Sequence, residues 1–242
     1  MDDLDGMMIS PRPPTAARPL LGTTLLLVED SRYASEAMRL LALRSGARIR
    51  RADTIASAER HLRIYRPSVV IVDLGLPDGC GAALIEMLNL ARPRVTALLG
   101  TSGDPDAEAR AMKAGADGFI AKPVSSLAAF QMAILRHLPP EAQPPLPRAL
   151  PQERVEPDRI AFRDDMAHVA TLLASRSGDG SPTDVGLSRY LAQFLTGVAM
   201  SAGDEALVAA ARDLARPDAP LAPRLARLAG LVEERMGDRR AV

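Results

Sequence analysis

The sequence contains one cysteine, Cys80, no tryptophan, and only 3% aromatic residues among its 242. A single thiol excludes an intramolecular disulfide and any cysteine-rich metal site. It fits a reducing compartment, and a cytoplasmic protein is the expectation. With so few rings, a core must be built from Leu, Val, Ile, Ala and Met, and apolar residues at 47% are enough to build one. Lysine occurs only at Lys113 and Lys122. Excess charge is also missing: 30 basic residues face 30 acidic ones. That excludes a whole-chain field drawing the protein to nucleic acid or an anionic membrane. No apolar run approaches the roughly 18 residues of a membrane helix. Residues 1–22 begin with acids and carry prolines where a signal peptide would be apolar, so they read as a flexible tail.

What is present alternates from residue 23 onward. Leu25-Leu26-Leu27-Val28 is a short continuous apolar run ending in Glu29-Asp30, the pattern of a strand buried on both faces. Ser31 suits the cap of a helix reaching about Ser45, with Gly46 at its end. Arg48–Ala52 is a weaker strand, and Ile55–Tyr65 a helix that must stop before Pro67. Val69-Val70-Ile71-Val72 runs straight into Asp73. A glycine-rich loop follows, then a helix over 82–90, a strand over 95–99, a helix over 106–114, a strand over 118–121 and a helix over 125–138. Strands alternating with helices predict an α/β fold: a doubly wound, five-stranded parallel sheet covered on both sides.

Seven prolines between Pro139 and Pro157 mark a stiff linker. Beyond about Asp158 no strand signal remains. Helical stripes occur around Ile160–Leu173, Leu187–Val198, Ala206–Leu214 and Leu221–Val232, predicting a small all-α helical bundle. The expected division is a tail over 1–22, an α/β domain over 23–138, a linker over 139–157 and a helical domain over 158–238.

In an open parallel sheet, ligands bind beyond the carboxyl ends of the strands. Glu29, Asp30, Asp73 and Lys122 stand at three such ends, and Thr101-Ser102 follow a fourth. Clustered carboxylates repel each other unless a cation is present. Oxygen ligands at this density suit Mg²⁺. A lysine and a hydroxyl beside them complete the parts for phosphoryl transfer to a carboxylate, which depends on positioning and charge neutralisation.

The runs LLLVEDSR, VVIVDLGLPDG and AGADGFIAKPV, in this order and at these strand ends, resemble the receiver domain of two-component response regulators, the flavodoxin-like fold of the chemotaxis response regulator. The resemblance covers residues 23–138. It implies that Asp73 is the phosphoacceptor for a histidine kinase or histidine phosphotransfer protein. It implies Mg²⁺ held by Glu29, Asp30, Asp73 and the Gly75 backbone carbonyl, with Lys122 on the phosphoryl group and a cis peptide before Pro123. It implies a switch coupling a hydroxyl, assigned to Thr101 with Ser102 as the small residue after it, to the aromatic Phe119. Such a domain is not an enzyme beyond promoting its own phosphorylation and dephosphorylation.

Plainer readings stand beside these. An Asp at one strand end can be a helix cap; the register with Glu29, Asp30 and Lys122 favours chemistry. Lys113 reads as a solvated helix residue and Cys80 as incidental. His168 lacks the Lys-Gly that follows the histidine of phosphotransfer domains, so a phosphorelay through it is only an alternative. Residues 152–242 carry 12 Arg and 14 Asp plus Glu, a balance of 12 − 14 = −2. No nucleic-acid partner is expected from that, and the helical region reads as an output for homodimerisation or for binding a protein partner. A transcriptional or RNA-binding output is the alternative, should Arg212, Arg216, Arg224 and Arg227 cluster.

Overall fold

The computed structural model describes residues 13–146, 149–176, 185–216 and 220–237. Its first half is a parallel sheet of β1 (Thr24–Val28), β2 (Arg48–Ala52), β3 (Val69–Asp73), β6 (Ala97–Ser102) and β7 (Gly118–Ala121), in the order β2-β1-β3-β6-β7. A short antiparallel pair, β4 (Gly75–Leu76) and β5 (Gly79–Cys80), sits in the loop after β3. Helices α1 (Arg32–Arg44) and α5 (Leu127–Leu135) cover one face. Helices α2 (Ile55–Ile64), α3 (Gly81–Leu90) and α4 (Ala107–Lys113) cover the other. This is the predicted doubly wound fold. The continuous apolar runs in β1 and β3 follow from it, because both faces of each strand are buried. Side chains such as Leu25, Ile71 and Leu98 each contribute about 1.5–3 kcal/mol through burial.

Local signals set the helix starts. Ser31 Oγ accepts from the Ala34 amide at 3.0 Å to cap α1, and Thr54 Oγ1 accepts from Ser57 at 3.1 Å to cap α2. At Gly46 the backbone turns to φ 86°, which ends α1 in the left-handed region that glycine tolerates.

Three boundaries differ from the sequence reading. The tail expected to reach residue 22 is packed at its end: Leu20 is fully buried in the α1–α5 side of the core, and its amide donates to the Ser45 carbonyl at 2.9 Å. Residues 1–12 lie outside the described residues. The strand expected over 95–99 is shifted to Ala97–Ser102, because Gly100, Thr101 and Ser102 pair with Phe119, Ile120 and Ala121 of β7. The linker returns to the sheet domain instead of running free. Leu127 donates to the Glu153 carbonyl, Val155 donates to the Ser125 carbonyl, and the Val155 side chain is buried beside α5.

The second half holds α6 (Arg159–Arg176), α7 (Val185–Ala202), α8 (Glu205–Leu214) and α9 (Leu221–Gly237). They enclose an apolar cluster that includes Met166, Leu191, Leu195, Leu207 and Leu228. Tyr33 of α1 packs against the same cluster, and its ring meets Phe162 edge-on at 5.7 Å. α1 therefore touches both the sheet and the bundle.

Candidate functional site

The carboxyl ends of β1, β3 and β7 deliver Glu29, Asp30, Asp73 and Lys122 to one point. Oxygen atoms of the three acids lie within 4.8 Å of one another. Lys122 Nζ stands 2.7 Å from Asp73 Oδ2 and 2.7 Å from Glu29 Oε2. Asp73 Oδ1 accepts from the Gly75 amide at 3.2 Å, so both oxygens of this carboxylate are engaged. The loop after β3 can fold back this closely only because residue 81 is glycine: a Cβ there would lie 1.9 Å from the Asp73 carbonyl oxygen. The Lys122–Pro123 peptide is cis, as the resemblance implied.

Electrostatics at this point are severe. Burial, with Asp73 and Asp30 adding repulsion against the offset from Lys122, pushes Glu29 up to about 8. Burial and then Asp73 push Asp30 up to about 7. Burial alone would discharge Lys122, but Asp73 and Glu29 outweigh it and hold the ammonium above its ordinary value. Glu29 is fully buried, and its Oε2 pairs with the Lys122 ammonium at 2.7 Å. Three carboxylates sharing one ammonium fit a hard divalent cation taking oxygen ligands.

The hydroxyl assignment changes. Thr101 is fully buried, and its Oγ1 donates to the Ile120 carbonyl at 2.7 Å. Ser102, not Thr101, lines the small cavity beside Asp73 and Lys122. The reason is the extended β6: successive residues of a strand point to opposite faces, so Thr101 and Ser102 cannot both face the pocket. Phe119 is half-buried against the α2–α4 side of the core, next to Gly100. Lys113 is exposed, as expected, and so is Cys80. His168 is exposed on α6, meets Phe194 edge-on at 5.9 Å, and lines an open cleft of about 700 Å³ that reaches Asp30 and Tyr190. It does not line the cavity at Asp73.

Residues that sequence reasoning missed come from the bundle. Tyr190 Oη donates to Asp30 Oδ2 at 2.8 Å, and burial first, then Asp30, raises that phenol. Gln193 fills the space over Gly75: a Cβ on Gly75 would lie 2.4 Å from its carboxamide. Phe194 and Gly197 complete the cavity wall. Tyr190, Gln193 and Gly197 fall at i, i+3 and i+7, one face of α7. That spacing was visible, but nothing in it pointed to another domain. The arginine cluster weighed for nucleic acid loses a member. Arg224 is buried and donates to the carbonyls of Asp213, Leu214, Arg216 and Pro220, closing the end of α8.

Comparison with known proteins bears on the sheet half of the chain. The family model for the response regulator receiver domain matches residues 25–133. The KDP operon transcriptional regulatory protein KdpE of Escherichia coli is 30% identical over 127 residues, covering 51% of this chain and 56% of that protein. The transcriptional regulatory protein KdpE of Mycobacterium tuberculosis is 29% identical over 177 residues, covering 71% of this chain and 73% of that protein. The chain thus spans little more than half the length of the first of these relatives. Among solved structures, the signal receiver domain of a signal transduction histidine kinase from Syntrophus aciditrophicus is 27% identical, covers 48% of this chain and 89% of its own, and has a TM-score of 0.44.

Proposed function

Since residues 25–133 form a two-component response regulator receiver domain, we propose that Asp73 accepts a phosphoryl group from a histidine kinase or histidine phosphotransfer protein and that the helical bundle carries the output. The observation that carries this reading is Lys122 bridging Asp73 and Glu29 at 2.7 Å each, with Asp30 beside them.

In the proposed reaction an Asp73 carboxylate oxygen forms the new O–P bond as the donor's N–P bond breaks, and the donor imidazole leaves. Lys122 stays charged and holds the phosphoryl oxygens. The Gly75 amide orients Asp73, and Ser102 supplies the hydroxyl beside the reacting group. Glu29, Asp30, Asp73 and the Gly75 carbonyl would hold Mg²⁺, which when bound neutralises charge on the transferring group. Acetyl phosphate with Mg²⁺ should label the wild-type chain, and Asp73→Asn should abolish the label. Undiminished labelling of that variant would show the acceptor assignment to be wrong.

The proposed output is protein-based: a second copy or a protein partner engages the helical bundle in a phosphorylation-dependent way. Light scattering with and without a phosphoryl mimic tests it, and a monomer in both states with no partner in pull-down would sink it. One observation favours a transcriptional output instead. The relatives are named transcriptional regulators, and the 177-residue alignment is longer than the receiver match. Against it stand the mildly acidic charge and the committed Arg224. Salt-sensitive binding of the full chain to duplex DNA would decide for it.

A further inference from the structure

α7 stands over the cavity at Asp73 and Lys122. Tyr190 is bonded to Asp30, Gln193 sits over Gly75, and a Cβ on Gly197 would lie only 3.7 Å from Lys122 Nζ. The cavity left among Asp30, Asp73, Ser102, Lys122, Gln193 and Gly197 is about 10 Å³. That is at most the space of one water molecule and has no room for a phosphoryl group. Asp73 is only 6% exposed.

The contact is fastened a short distance away. Asp165 of α6 is buried and accepts three bonds from the start of α1: Ser31 Oγ at 2.7 Å, the Arg32 amide at 2.8 Å and the Tyr33 amide at 3.1 Å. Arg32 pairs with Asp164 at 2.9 Å, and Tyr33 packs into the bundle cluster. A buried acid satisfied by three donors from another domain marks a specific interface.

We infer that the α6–α7 face of the bundle occupies the seat a phosphodonor needs on the receiver, so that docking of the bundle and phosphorylation of Asp73 exclude each other. In-line transfer places the donor atom and the attacking oxygen on opposite sides of phosphorus. A donor must therefore stand where Gln193 and Gly197 stand. The partner that fits the uncovered surface is a histidine-bearing phosphodonor, which competes with α6–α7 for it. A phosphoryl group on Asp73 then holds the bundle off, because the cavity cannot contain it. By linkage, whatever loosens the bundle favours phosphorylation by the same factor in affinity. The inference rests on Asp73 being the acceptor.

The test uses the full chain and acetyl phosphate with Mg²⁺ as the probe. Gly197→Gln keeps α7 helical while placing a long side chain against Lys122, whereas Gly197→Ala adds a Cβ at ordinary contact distance. Gly197→Gln should label roughly tenfold faster or more than wild type, and Gly197→Ala should stay near wild type, because the competent fraction rises only when the bundle leaves. A second arm avoids the question of misfolding. Arg32→Cys and Asp164→Cys are joined by a short bismaleimide in a Cys80→Ser background. The cross-linked chain should label at least about tenfold more slowly than the same chain left unlinked, its open fraction being suppressed. Equal rates for linked and unlinked chains would overturn the inference while leaving Asp73 as acceptor. No label on any variant would overturn the acceptor reading and the inference with it.

Discussion

Among the described residues, the two apolar clusters that flank the sheet draw on positions between Leu20 and Val155, whereas the cluster inside the helical bundle also takes in Tyr33 from α1. The sheet half closes its core with its own side chains. The bundle leans on the receiver for part of its cover. A small bundle gains from such borrowed surface, because little of its own chain is available for burial. The contrast also says where each half is sensitive: a void in the sheet core concerns the receiver alone, and a void in the bundle reaches the interface.

The sharpest way to break this contrast is Phe130→Ala. Phe130 is fully buried between the sheet and α5, and its loss should cost about 3–5 kcal/mol. Native-state hydrogen exchange should lose protection across β1, β3 and β6 while α8 and α9 keep theirs. An equal loss in α8 and α9 would mean that both halves unfold as one unit. Leu195→Ala, in the fully buried centre of the bundle, should cost roughly 2–5 kcal/mol. Its exchange signature should spread from α6–α9 to the first turn of α1 and stop there. Tyr33→Ala should remove about 1–3 kcal/mol by exposing apolar surface, and urea titration should find the loss shared between the halves. If the sheet half alone weakened, the borrowed-cover reading would be wrong.

The smallest expected effect is confined to the bundle. Asp204 caps α8 through the Leu207 amide at 3.0 Å and pairs with Arg235 at 2.7 Å. Burial alone would raise its carboxyl, but the bonds from Arg235 and the Leu207 amide win and hold it below the usual range. A depressed folded value means the charged form adds stability above the unfolded value of about 3.9, and that stability is lost as pH falls through the folded value. Asp204→Asn keeps a capping side chain but loses the ion pair with Arg235, so it should cost about 0.5–1 kcal/mol at neutral pH, and its melting curve should converge on that of wild type only as pH falls below about 3.9 and through the depressed folded value.

Much of the receiver was legible because burial on both faces writes itself into sequence. The runs ending at Glu29 and Asp73 are unbroken apolar segments that stop at acids, so strand and site residue are marked together. Lys122 was legible as one of two lysines. The end of β6 was not, because Gly100 and Ser102 are poor strand formers that pairing with β3 and β7 holds extended. That one shift also separates Thr101, the expected hydroxyl, from the cavity at Asp73, which Ser102 lines. The docking of α7 was hidden for a different reason. Leu191, Leu195 and Val198 declare the face turned to the bundle core. Tyr190, Gln193 and Gly197 form a polar and small face that any solvated helix could carry, and its partners lie far earlier in the chain, at Asp30, Gly75 and Lys122.

The return of the linker to the sheet has a consequence for how tightly the bundle must grip. Val155 is fixed beside α5, and α6 begins at Arg159, which leaves Glu156, Pro157 and Asp158 as the leash. Three residues reach at most about 10 Å even when fully extended. A released bundle therefore stays in a small volume next to its seat, at an effective concentration on the order of millimolar or above. Two separate molecules with only millimolar attraction would rarely meet, yet the same surfaces on this leash stay engaged about half the time or more. Strength of contact is thus supplied by geometry, which leaves the face itself free to be weak and quickly exchanged for a competitor.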